Sequence, residues 1–88
     1  MPYIKQENRN KYNAILALLR GTKDLIDKSG ELNYLITSIC KIYLEKHSEK
    51  YSTYNDIFGA LDCIGKELYR IKTSDYENKK KDENGDVF

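Results

Sequence analysis

Eighty-eight residues, 40% hydrophobic and 33% charged, are enough for one small domain built around a single core. A net charge of +1, with 7 basic and 4 acidic residues up to Leu44 and 8 and 10 after it, argues against a dedicated nucleic-acid binder, whose affinity comes from a concentrated basic face. No run of about 20 apolar residues is present to span a bilayer.

A domain of this length buries only roughly 60–65% of the surface its unfolded chain exposes, so its stability is marginal and dimerisation is an expected supplement. The opening Met1-Pro2-Tyr3-Ile4-Lys5-Gln6-Glu7 is polar where a signal peptide is apolar, so the protein is expected to stay in the cytoplasm. In that reducing compartment Cys40 and Cys63, both inside apolar helical patterns, read as small hydrophobes and not as a disulfide or redox pair.

In the first segment Tyr12, Ile15, Leu16 and Leu19 recur at i, i+3, i+4 and i+7, one face of an α-helix. The same phase reaches Leu25 and Ile26 beyond Gly21, so the spacing predicts one long helix over residues 7–27, kinked at Gly21 and stopped at Ser29-Gly30. The alternative is a break at Gly21, where glycine costs a helix about 1 kcal/mol relative to alanine.

The second helix is expected over residues 31–47, on a stripe of Leu32, Leu35, Ile36, Ile39 and Tyr43 widened by Ile42 and Leu44. Ser29 is its expected N-cap, Glu31 suits the positive end of the helix dipole, and Lys46 and His47 suit the negative end. A short polar link then leads to a capping-box pattern, Thr53 with Asp56 or Ser52 with Asn55. From there Ile57, Leu61, Ile64, Leu68 and Ile71 recur at spacings of 4, 3, 4 and 3, thickened by Tyr54, Phe58 and Gly65. This third helix is expected over residues 53–73, with a continuation towards Lys80. Residues 81–88 form a tail with a turn signal at Asn84-Gly85, after which Val87-Phe88 either frays or folds back. The expectation for residues 1–88 is therefore a single all-α domain, a three-helix bundle or an intertwined dimer of one.

No catalytic or metal constellation emerges. One histidine, His47, and two cysteines without a paired short spacing do not make a zinc site. Asp82, Asn84 and Asp86 alternate like the start of a calcium loop, but Gly85 is misplaced for its sharp turn. The five glycines are scattered, so no phosphate-cradling loop is formed. His47 follows the apolar stripe and reads as a solvated residue at a helix C-terminus, so the chain is not expected to be an enzyme and no cofactor is implied.

Two groups of residues remain. Gly59, Ala60 and Cys63 make a small-residue seam on the third helix, which fits either close packing within the chain or a dimer interface. Tyrosine is over-used, with eight Tyr, two Phe and no Trp. Tyr12, Tyr43 and Tyr54 lie on the stripes, while Tyr34, Tyr69 and Tyr76 lie off them beside Asn33, Thr37, Glu67 and Arg70. Those seven off-stripe residues read as a network tying the second helix to the third, as anchors for a protein partner, or as a stacking and hydrogen-bonding site for a small planar anion such as a nucleotide. A modest basic stripe of Lys66, Arg70, Lys72 and Lys79 to Lys81 is interrupted by Asp75, Glu77, Asp82 and Glu83, which leaves nucleic acid as the weakest reading.

The opening Met1 to Glu7, the central Gly30-Glu31-Leu32-Asn33-Tyr34-Leu35-Ile36-Thr37, the later Ala60-Leu61-Asp62-Cys63, Glu67-Leu68-Tyr69-Arg70 and Tyr76-Glu77, and the closing Glu83-Asn84-Gly85-Asp86-Val87-Phe88 together resemble a family of short uncharacterised proteins of phages, prophages and prokaryotic genomes. The closing motif is the most specific part. Ile71 stands where members often carry a second arginine, and Phe88 where tyrosine is frequent; the missing arginine weakens a basic patch on the third helix. The resemblance implies a phage or mobile-element setting and no particular chemistry. Taken with the absence of a reaction centre, it leads to the expectation of a non-catalytic helical protein that forms a homodimer and docks on another protein.

Overall fold

A computed structural model describes residues 4–85. All its regular structure is helical, in three successive runs, and no strand occurs among the described residues. The first run comprises α1 (Gln6–Arg9), a 3-10 turn (Asn10–Tyr12) and α2 (Asn13–Gly21). The second is α3 (Ser29–His47). The third is α4 (Tyr51–Leu68), a π-helical segment (Tyr69–Thr73) and α5 (Ser74–Asn84), each following the last without a break. The chain divides into two compact units between Ile57 and Phe58, a point inside α4.

Gly21 ends the first run instead of kinking it. Thr22 is extended (φ −98°, ψ 116°), and its N–H donates to the Leu18 carbonyl at 3.1 Å. Residues 22–28 form a turn in which Asp24 and Ile26 have positive φ, so Leu25 and Ile26 leave the helix with which they are in phase. Apolar phase records which side of a segment faces inward; it does not hold backbone hydrogen bonds across a residue that favours leaving the helix.

Ser29 is the first helical residue of α3, and the N-cap is Lys28, whose extended backbone (φ −126°, ψ 159°) aims its carbonyl at the N–H groups of Glu31 and Leu32. No side chain caps this end; Glu31 instead accepts from the Asp27 N–H, one residue before the N-cap, at 3.4 Å. Ser29-Gly30 thus opens α3, with the N-cap one residue ahead of the expected Ser29, while the stop expected there for the first helix falls at Gly21. The charge preferences hold, with Glu31 in the first turn and Lys46 and His47 in the last.

The inward side of α3 is carried by Leu35, Ile36, Cys40, Tyr43 and Leu44, all half-buried, while Leu32, Ile39 and Ile42 of the expected stripe are exposed. Helix α4 starts at Tyr51, two residues ahead of the expected cap, so Thr53 is helical and only 4% exposed, and Ile57 one turn later is 9% exposed. These two are the buried residues of α4. The third run extends past Lys80 to Asn84 and is closed by Gly85 (φ 84°), whose N–H donates to the Lys81 carbonyl at 2.7 Å. The turn signal at Asn84-Gly85 is therefore a helix C-terminus with glycine in the left-handed half of the map. The expectation for Val87-Phe88 lies outside the described residues.

Candidate functional site

The residues marked by sequence fall into two local groups. Asn33, Tyr34 and Thr37 lie on α3, with Thr37 Oγ1 donating to Asn33 Oδ1 at 3.4 Å one turn back. Tyr34 is 75% exposed. Glu67, Tyr69, Arg70 and Tyr76 belong to the third helical run. Arg70 Nη2 donates to Glu67 Oε2 at 3.0 Å, an i, i+3 ion pair, and Lys80 Nζ sits 5.6 Å from the centroid of the exposed Tyr76 ring.

Tyr69 has a partner that spacing did not suggest: its hydroxyl donates to Glu77 Oε2 at 2.9 Å, eight residues along. The π segment makes this bond. The Ser74 N–H reaches back five residues to the Tyr69 carbonyl, which inserts one extra residue into the helical repeat. Eight residues across that insertion turn as seven do in a plain α-helix, and seven steps return to within about 20° of the starting face. Tyr69 and Glu77 therefore share a face. The Glu77 carboxylate accepts the phenolic proton and opposes a phenolate by its charge, so the Tyr69 pKa is raised above its ordinary value.

With Tyr69 held at one end, residues 61–69 shape a shallow surface groove of about 350 Å³ lined by Leu61, Asp62, Gly65, Lys66 and Tyr69. A Cβ at Gly65, one of its lining residues, meets nothing within 4 Å. Lys66 Nζ and Asp62 Oδ2, both lining the groove, are paired at 2.8 Å, and that carboxylate raises the lysine pKa. Phe58, Leu61, Ile64 and Leu68, all exposed apolar side chains, continue this side of the helix. Of the small-residue seam, Cys63 is half-buried while Gly59 and Ala60 are exposed, and nothing approaches within 4 Å of a Cβ at Gly59.

A second polar junction, also unsignalled by spacing, joins α3 to the start of α4. Tyr43 Oη donates to Asp56 Oδ2 at 3.0 Å, and the Tyr43 ring lies 4.3 Å from that of His47 at a 36° tilt. The hydrogen bond to the carboxylate, then burial and charge, raise the Tyr43 pKa. Cys40 and Cys63 are both free. Among the described residues there is no group of three or more His, Cys, Asp or Glu placed to hold a metal ion, and no helix long and apolar enough to cross a membrane.

A family model described as a domain of unknown function (DUF6899) matches residues 1–87, nearly the whole chain. The chain belongs to the DUF6899 family. No curated protein and no solved structure matches it. The surface features of this DUF6899 chain that bear on function are the exposed apolar side of its third run and the groove beside it.

Proposed function

We propose that this protein is a non-catalytic helical interaction protein of the cytoplasm, associated with phages or other mobile elements, that acts by docking on another protein through the apolar side of its third helical run. The observation that carries this reading is the exposure of large apolar side chains along that helix: Phe58 at 63%, Leu68 at 58%, with Leu61, Ile64, Ile71 and Tyr69 also exposed. An apolar side of this length is costly to leave in water, and contiguous patches of this kind mark protein contacts. Aromatic anchors flanked by charge, here Phe58 and Tyr69 beside Asp62 and Lys66, are the side chains from which interface centres and rims are built. The mobile-element setting is supported by the resemblance of the opening, central and closing motifs.

A photo-crosslinking phenylalanine analogue placed at Phe58 in the native host tests it. Discrete protein adducts are expected from position 58 and none from Lys79 on the polar α5 helix. A chain that forms no protein adduct through position 58 is not a docking protein of this kind.

A further inference from the structure

The groove beside Gly65 indicates what fills it. Glycine inside a helix is unfavourable relative to alanine, and it is kept where another backbone comes close. Within the described chain nothing lies within 4 Å of a Cβ at Gly65, so its helix face is open to a backbone from outside. The side chains around it are arranged symmetrically in kind, with Leu61 four residues before Gly65 and Tyr69 four residues after, both lining the groove. The charges are arranged asymmetrically. Residues 58–64 carry a single charge, Asp62, whereas residues 65–73 carry Lys66, Arg70 and Lys72 against Glu67.

We infer that the occupant is a second copy of this chain, laid antiparallel across the groove with the two helices crossing at Gly65. This rests on the docking reading above and names its partner. With glycine over glycine, Leu61 of each copy lies opposite Tyr69 of the other, and the acidic stretch of each helix meets the basic stretch of its mate. Asp62 and Lys66, one turn apart, share a flank. An antiparallel twofold pair brings that flank against the same flank of the copy, so Asp62 of each chain faces Lys66 of the other. The intrahelical Lys66–Asp62 pair is 77% and 63% exposed, a geometry in which an ion pair contributes little, and its exchange for two contacts across the interface is cheap. A parallel twofold pair would instead set that flank against the opposite flank of the copy, away from its Asp62 and Lys66.

Sedimentation velocity on the full-length chain tests this. Wild type is expected to show a concentration-dependent monomer–dimer equilibrium. Asp62→Lys and Lys66→Asp each place like charges across the twofold and should weaken association by roughly tenfold or more. An equimolar mixture of the two variants should recover it as a heterodimer. Both variants have lost the intrahelical pair, so recovery on mixing reports contacts between chains. Gly65→Leu, which enters open space in the single chain, should abolish the dimer while leaving the helical circular-dichroism signal intact. A wild-type chain that stays monomeric, a mixture no tighter than its components, or a Gly65→Leu variant that still dimerises overturns the antiparallel pairing. Adducts of foreign mass at position 58 would then show that the docking reading stands without it.

Discussion

Tyr43 and Tyr69 are held by the same chemistry in different places, a phenol donating to a carboxylate, Asp56 for one and Glu77 for the other. In both, the hydrogen bond is the main reason that ionisation is pushed above the ordinary tyrosine value of 10.0. A group whose pKa is higher folded than unfolded adds stability that is fully present below its unfolded pKa and is lost as pH rises through the folded one. The contribution of each tyrosine is therefore constant at neutral pH and disappears only in the alkaline range above 10.0. In a spectrophotometric titration of the eight tyrosines, a late-ionising component is expected, and Tyr43→Phe and Tyr69→Phe should each remove part of it. The Tyr43→Phe variant should also lose stability at neutral pH and show a flatter alkaline fall. A titration unchanged by either substitution would mean that these bonds do not persist in solution. Neither partner was legible in the sequence: Asp56 lies 13 residues from Tyr43 across a chain reversal, and Glu77 is eight from Tyr69, a spacing that pairs side chains only across an inserted residue.

At the scale of the helix, periodicity was a good guide to what is helical and a poor one to where helices end. The spacing of Ile57, Leu61, Ile64, Leu68 and Ile71 marked the third run, and the next aromatic, Tyr76, falls five residues on. Helix ends depend on single residues whose backbone departs from the repeat. Ser48 and Gly85 close α3 and α5 with nearly the same geometry, φ 70° and ψ 155° against φ 84° and ψ 150°. That region suits glycine and strains any residue with a Cβ, by about 1–3 kcal/mol. Asn84-Gly85 could be recognised because glycine is the usual solution, whereas Ser48 carries the strain instead. Ser48→Gly is accordingly expected to stabilise the protein by about 1 kcal/mol after the added flexibility of the unfolded chain is counted. For a domain of this length that corresponds to a melting-temperature rise of roughly 4–8 °C. A fall on making Ser48→Gly would show that the serine side chain, and not its backbone, is what that helix end requires.

The all-α class was legible because three consecutive blocks repeat with helical pitch, and three helical runs result. A shared bundle core was not, because the apolar stripes predict a buried side for each helix but not what lies against it. Leu32, Ile39, Ile42, Leu61, Ile64 and Leu68 remain exposed, and Ile57 is the buried apolar side chain of the described residues. Burial of apolar surface is the main favourable contribution to folding, about 25 cal/mol per Å² removed from water. In the proposed dimer the side chains exposed in the single chain make that contribution on association, and folding and association are then one linked equilibrium. The melting temperature should then depend on protein concentration. A tenfold increase favours a folded dimer over two unfolded chains by about 1.4 kcal/mol. Spread over the unfolding entropy of two chains of this length, that amounts to a rise of roughly 3–5 °C per decade of concentration. Calorimetric scans across two decades, with the Gly65→Leu chain as the dissociated reference, separate the alternatives. A sloping wild-type series above a flat reference means that the second copy supplies part of the fold, and two flat series mean that the single chain is stable with its apolar helix sides in water.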